Sequence, residues 1–210
     1  MNLRELLKLY FIMGSPNCDQ DPRDVLRGAI GGGVTLFQFR EKGDGALIGD
    51  AKREFAMELH EICREEGIPF IVNDDVALAL ELGADGVHVG QEDESIEVVR
   101  EKIDSKILGV SAHDVEEARE AVEKGADYIG VGPMFATKTK ADAREVRGPE
   151  MIERIREAGI TLPIVGIGGI QASNASEVTA AGADGVSVIS AISQAEDPKR
   201  AARDFIGMVL

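Results

Sequence analysis

Leu82-Gly83-Ala84-Asp85-Gly86-Val87 recurs as Lys124-Gly125-Ala126-Asp127-Tyr128-Ile129 and as Ala181-Gly182-Ala183-Asp184-Gly185-Val186. In each copy a glycine stops a helical pattern, a short turn follows, and a β-prone run begins. The spacings between copies differ, so these are recurring helix-to-strand turns and not a solenoid repeat. Working outward from them, apolar β-forming runs fall at 7–13, 31–37, 69–72, 86–89, 107–110, 128–131, 163–167 and 185–188. Helical periodicity fills the gaps at 22–31, 48–66, 76–82, 95–102, 115–124, 149–157, 173–181 and 198–208. Asp21-Pro22 opens the first of these helices, with the acid as cap and proline at the first helical position.

Strict strand–helix alternation predicts an α/β fold with a parallel sheet and right-handed crossovers. Eight such units with short strands predict a closed (β/α)8 TIM barrel, a single domain over 1–210. The alternative is an open doubly wound sheet. Against it, the first strand-to-helix turn, 14–21, lacks the glycine fingerprint of a dinucleotide site.

Composition narrows the function. The net charge of −15 gives no electrostatic affinity for nucleic acid or anionic membranes. An anionic small-molecule substrate would need a local basic site. The two cysteines, Cys18 and Cys63, have no metal-ligand spacing, and Cys63 reads as a small buried apolar residue. The N-terminal stretch carries Arg4, Glu5 and Lys8 and so lacks the apolar core of a signal peptide. A soluble, cytoplasmic protein is expected.

In a barrel of this kind the chemistry sits at the C-terminal ends of the strands. Strand 2 ends in Gln38-Phe39-Arg40-Glu41-Lys42. Residues two apart share a face, so Gln38, Arg40 and Lys42 point one way and Phe39 and Glu41 the other. An amide and two cations make either a receptacle for a dense anion or merely a solvated strand end. Strands 3 and 4 end in Asn73-Asp74 and Asp93, strand 5 in Ser111. Mg²⁺ takes one or two carboxylates with phosphate oxygens and waters, so Asp74 and Asp93 near cations suggest a metal–polyphosphate site. Helix capping by Asp74 or Asp75 and by Asp93 is the competing reading. The loop after strand 6 offers Thr137, Lys138, Thr139 and Lys140. Gly166-Ile167-Gly168-Gly169 and Ile189-Ser190 lie where barrels bind phosphate, their glycines letting main-chain N–H groups approach an anion. His88 reads as a core histidine facing the barrel interior, and His113 as a loop residue before a helix.

These motifs together resemble the thiamine-phosphate synthase family. The resemblance rests on Gln38 to Lys42, Asn73-Asp74, Gly86 to Asp93, Gly109 to His113, Gly132 to Lys140 and Gly166 to Ile170. It implies a transferase that joins a hydroxymethylpyrimidine diphosphate to a thiazole phosphate with release of pyrophosphate. It assigns the whole run Gln38, Phe39, Arg40, Glu41 and Lys42, with Asn73, Ser111 and Lys140, to the pyrimidine diphosphate. It assigns Thr137, Lys138, Thr139, Gly169, Ile189 and Ser190 to the thiazole phosphate, and Asp74 and Asp93 to Mg²⁺. Arg40, Lys42 and Lys140 would stabilise the leaving group. Ala136 departs from the proline common at that position. The alternatives are a thiazole tautomerase on the same barrel, with His113 as its acid–base residue, and a non-catalytic phosphate-binding barrel.

Overall fold

The Gly-Ala-Asp turns fasten the bottom of the molecule. Asp85 N–H donates to the Phe70 carbonyl (2.9 Å), and its carboxylate accepts from the Phe70 N–H (2.8 Å). Asp127 grips Leu108 in the same two-sided way, and Asp184 grips Ile164. Each turn therefore ties the start of one strand to the start of its neighbour. The preceding glycines, Gly83, Gly125 and Gly182, all have positive φ, which is why glycine stands there.

A computed structural model describes residues 2–137 and 145–209. Its strands are β1 (Leu9–Met13), β2 (Leu36–Phe39), β3 (Phe70–Asn73), β4 (Gly86–Val89), β5 (Ile107–Ala112), β6 (Tyr128–Val131), β7 (Ile164–Ile167) and β8 (Gly185–Val188). All pair in parallel, in sequence order, and β1 closes on β8 with Leu9 opposite Val186. The expected (β/α)8 barrel is the observed fold, and the open sheet is excluded.

The helices of the alternation are α2 (Pro22–Gly31), α3 (Gly49–Glu66), α4 (Val76–Leu82), α5 (Ile96–Ile103), α6 (Val115–Glu123), α7 (Glu150–Glu157), α8 (Ala175–Ala180) and α10 (Pro198–Val209). Two short pieces complete the set: α1 (Leu3–Leu6), whose start is capped by Asn2, and α9 (Ser190–Ser193) after β8, where the sequence 189–192 already reads as one helical turn. Asp21 caps α2 as expected, accepting from Arg23 N–H. Among the described residues no helix is long and apolar enough to cross a membrane.

Strand alternation divides the core in two. Outward side chains such as Phe11, Phe37, Phe39, Phe70 and Val87 pack under the helices. Inward side chains form a smaller cluster with Tyr10, Ile12, Leu36, Ile71, Tyr128 and Val165. Above these, the inner faces carry Gln38, Asn73, His88, Ser111 and Ser187, and the interior turns polar towards the C-terminal rim.

Candidate active site

A cavity of about 360 Å³ opens at the C-terminal ends of the strands. Arg40, Lys42, Asn73, Asp74, Asp93, Ser111, Thr137, Gly169, Ile189 and Ser190 all line it. Residues separated by 150 positions in the chain thus meet in one concavity. Lys138, Thr139 and Lys140 lie outside the described residues. Gln38 is buried beneath the floor, its Nε2 donating to the Tyr10 hydroxyl (2.7 Å).

Phe39 and Glu41 do not belong to this cavity. Phe39 faces outward, stacked on Phe70 and edge-on to Phe55. Glu41 accepts from Ser15 N–H (2.8 Å), Ser15 Oγ (2.5 Å) and Leu47 N–H (2.7 Å), so it pins the loops after β1 and β2 to each other. The period of two that turns Arg40 inward turns these two outward. Their assignment to substrate binding is corrected to core packing and loop bracing.

The acid cluster is electrostatically unusual. Lys42 Nζ lies 2.9 Å from Asp74 Oδ2, which raises the lysine above its ordinary pKa. Asp74 is raised as well, first by burial and then by the Asp93 carboxyl beside it, against the opposing pull of Lys42. Asp93 also accepts from Gly90 N–H (2.7 Å). Asp74 has φ of 63°, a region that non-glycine residues rarely occupy. The chain turns there so that the next residue, Asp75, caps α4 through Leu78 N–H (3.0 Å) and pairs with Lys52. The capping task falls to Asp75, which leaves Asp74 to the cavity.

The other arc is built on glycine. Gly168 and Gly169 have φ of 97° and 68°. A Cβ on Gly169 would sit 2.7 Å from the Ala136 carbonyl oxygen, and one on Gly168 2.9 Å from Pro133. This close approach lets Met134 and Phe135 N–H bond to the Ile167 and Gly168 carbonyls, extending the β6–β7 ladder beyond the strands. The loop after β6 is thereby carried to the cavity with Thr137 at its lip.

The family model for thiamine monophosphate synthase matches residues 9–192. A thiamine-phosphate synthase of Geobacillus kaustophilus is 63% identical over 200 residues, covering 95% of this chain and 90% of that protein. One from Bacillus cereus (strain ATCC 10987 / NRS 248) is 60% identical over 204 residues, covering 97% and 91%. The chain belongs to the thiamine-phosphate synthase family. A thiamine phosphate pyrophosphorylase structure from Pyrococcus furiosus superposes with a TM-score of 0.89 at 40% identity, covering 99% of this chain and 98% of that one. Members of the thiamine-phosphate synthase family are transferases, and this chain is an enzyme of that class.

The barrel also holds residues that the sequence reading left out of the substrate site, although it placed Ser187 at the end of strand 8. His88 faces inward as expected, but it lines the cavity and bonds both Tyr128 and Ser111. Tyr10 and Tyr128 read in sequence only as β-formers; their hydroxyls meet 2.8 Å apart inside the barrel. Gln91 lines the rim and donates to the Ser111 carbonyl (2.6 Å). Ser187, 2% exposed, presents a hydroxyl with no partner among the described residues and also lines the cavity.

Proposed function

We propose that this chain condenses a hydroxymethylpyrimidine diphosphate with a thiazole phosphate, releasing pyrophosphate, at the cavity on the C-terminal rim. The observation that carries the reading is the pairing of two unlike arcs in one cavity. A cation–carboxylate cluster, Arg40, Lys42, Asp74 and Asp93, suits a metal-bound diphosphate. The glycine-lined arc with Thr137, Ile189 and Ser190 suits a second, metal-free phosphate.

The donor set fits a magnesium ion. Asp74 and Asp93 are two carboxylates in hydrogen-bond reach of each other, and burial makes Asp74 hold its proton more tightly. A divalent cation relieves that conflict. Among the described residues no group of three or more His, Cys, Asp or Glu side chains could hold a metal. An ion held by Asp74 and Asp93 would draw its remaining ligands from phosphate oxygens and water, as Mg²⁺ commonly does. When bound, it supplies charge neutralisation at the diphosphate oxygens.

The chain's own residues would do the rest. Arg40, 7% exposed, and Lys42 hold the diphosphate and stabilise the charge it gains as its C–O bond breaks. Lys140 is assigned the same task by the family resemblance. The bonding pair leaves with pyrophosphate, and the thiazole nitrogen attacks the methylene carbon with its lone pair. No proton is abstracted, so no strong base is required. Alignment of two substrates in one cavity contributes by converting an encounter into a positioned step.

The test is pyrophosphate release. It is expected only with both substrates and Mg²⁺ present, and chelation should abolish it. Equal release from the pyrimidine diphosphate alone, or no release with both substrates, overturns the reading. A proton-shift reading would draw on His113, which lines the cavity and bonds Glu117 (2.8 Å), but it leaves Asp74 and Asp93 without a task.

A further inference from the structure

A chain of hydrogen bonds crosses the barrel interior beneath the cavity. Gln38 Nε2 donates to Tyr10 OH (2.7 Å), Tyr10 OH meets Tyr128 OH (2.8 Å), Tyr128 OH meets His88 Nδ1 (2.9 Å), and His88 Nε2 meets Ser111 Oγ (3.0 Å). Five residues on five strands are joined end to end. The space for it is built in: a Cβ on Gly109 would lie 2.1 Å from Tyr128 Cζ and 2.5 Å from His88 Nδ1. Tyr10 and Tyr128 are 1% and 0% exposed, and burial raises both phenols above their ordinary range, so each keeps its proton.

The chain has a direction. An amide nitrogen can only donate. Tyr10 OH therefore accepts from Gln38, and its own proton has one acceptor within reach among the described residues, Tyr128 OH. Tyr128 must then pass its proton to His88 Nδ1. That leaves the imidazole neutral with its hydrogen on Nε2, donating to Ser111 Oγ. The Ser111 proton is released from that contact and is free to point into the cavity.

We infer that Tyr10, Tyr128 and His88 are positioning residues that fix the hydrogen-bond polarity of the cavity floor, making Ser111 a donor to a ring acceptor of the nitrogen-heterocyclic diphosphate substrate and locking the Gln38 amide. This rests on the function proposed above. It gives the floor a sense of recognition: a ring with an acceptor facing Ser111 is taken, and one with a donor there is refused.

Tyr128→Phe cuts the chain with loss of one oxygen. Its KM for the pyrimidine diphosphate should rise about tenfold, with KM for the thiazole phosphate within twofold, and the stranded Tyr10 hydroxyl should lower the melting temperature by a few degrees without unfolding the enzyme. Because Tyr128 acts through Ser111, the Tyr128→Phe/Ser111→Ala double variant should lose little more than the worse single one. Losses that multiply, or equal shifts in both KM values, overturn the inference. Should Tyr128→Phe fail to fold, His88→Gln serves instead, since a glutamine Nε2 can still donate to Ser111 and should retain much of the affinity. Nitrogen-15 NMR of the histidine rings gives a readout independent of turnover. His88 should be the neutral Nε2–H tautomer at pH 7; an Nδ1–H tautomer or an imidazolium overturns the chain's direction. Failure of the synthase reading shows instead as absent pyrophosphate release by the wild-type enzyme, with the tautomer unaffected.

Discussion

Aspartates ring both ends of this barrel, and the two ends treat them oppositely. At the bottom, Asp85, Asp127 and Asp184 are satisfied by the chain itself. Each accepts from a strand N–H, Asp127 adds Arg100 (2.6 Å), and Asp184 adds Arg156 (2.8 Å) and Arg4. At the top, Asp74 and Asp93 face each other, and among the described residues it is Lys42 that offsets them at close range. One residue type stabilises the fold where its charge is answered internally. Under the proposed function it serves binding where its charge is left for a cation and a phosphate from outside. The stability of the barrel and its chemistry are therefore separable by face, as expected for this architecture.

The largest effect that would break this comparison is at the top. Asp74→Asn and Asp93→Asn should each lower kcat by about a hundredfold or more, the scale of losing one preorganised charge contact. Asparagine tolerates the positive φ at position 74 and can still accept from Gly90 N–H at position 93. Removing one of two facing carboxylates should leave the melting temperature of the metal-free protein unchanged or higher. A thermal shift assay beside the pyrophosphate assay checks both. Wild-type turnover at limiting Mg²⁺, or a fall in melting temperature as large as any at the bottom rim, would erase the distinction.

The bottom face should give the mirror image. Asp184→Ala strands a strand N–H and two arginines, at a cost of about 3 kcal/mol. For a chain of this size that is roughly 6–12 °C in melting temperature, with kcat unchanged well below the transition. The series sharpens with the number of partners. Asp127→Ala loses one arginine and one N–H and should cost less, and Asp85→Ala, with a strand N–H and no arginine, least. Equal shifts across the three would mean that the arginines contribute nothing.

What the chain discloses in sequence follows the same division. The bottom turns are local, so Gly-Ala-Asp and the flanking periodicities spell out the barrel without reference to anything distant. The top rim is legible where one strand end supplies several polar groups, as at Arg40 and Lys42. It is illegible where the outcome hangs on backbone geometry. Nothing in Asp74-Asp75 says which acid caps α4; the positive φ at Asp74 decides it. The inner chain was hidden for a further reason. Tyr10 and Tyr128 stand 118 residues apart, and each looks like an ordinary strand residue until barrel closure brings the hydroxyls together. Phe39 and Glu41 show the converse error. Alternation already faced them away from Arg40, yet the motif as a whole was assigned to substrate. The one-turn helix α1 and its Asn2 cap lie in a stretch with too little periodicity to read.

The smallest effect separates the faces by pH. His60, on α3, packs its ring 4.8 Å from Phe70, the residue whose N–H is held by Asp85. Burial lowers this histidine below its ordinary value of 6.5, and Arg64 and Lys106 add to that, while Asp85 and Glu61 oppose it. Below 6.5 the unfolded chain then binds more protons at this site than the folded one, so stability rises with pH across that window. The contribution is present in full above 6.5 and is lost as pH falls through the depressed folded value. His60→Gln keeps a polar side chain without the titration. Melting temperatures measured from pH 8 to 5 should fall more steeply for wild type than for His60→Gln once the pH drops below 6.5. The difference should be small, because the ring is only partly buried. Parallel curves would remove His60 from the acid sensitivity of the bottom face.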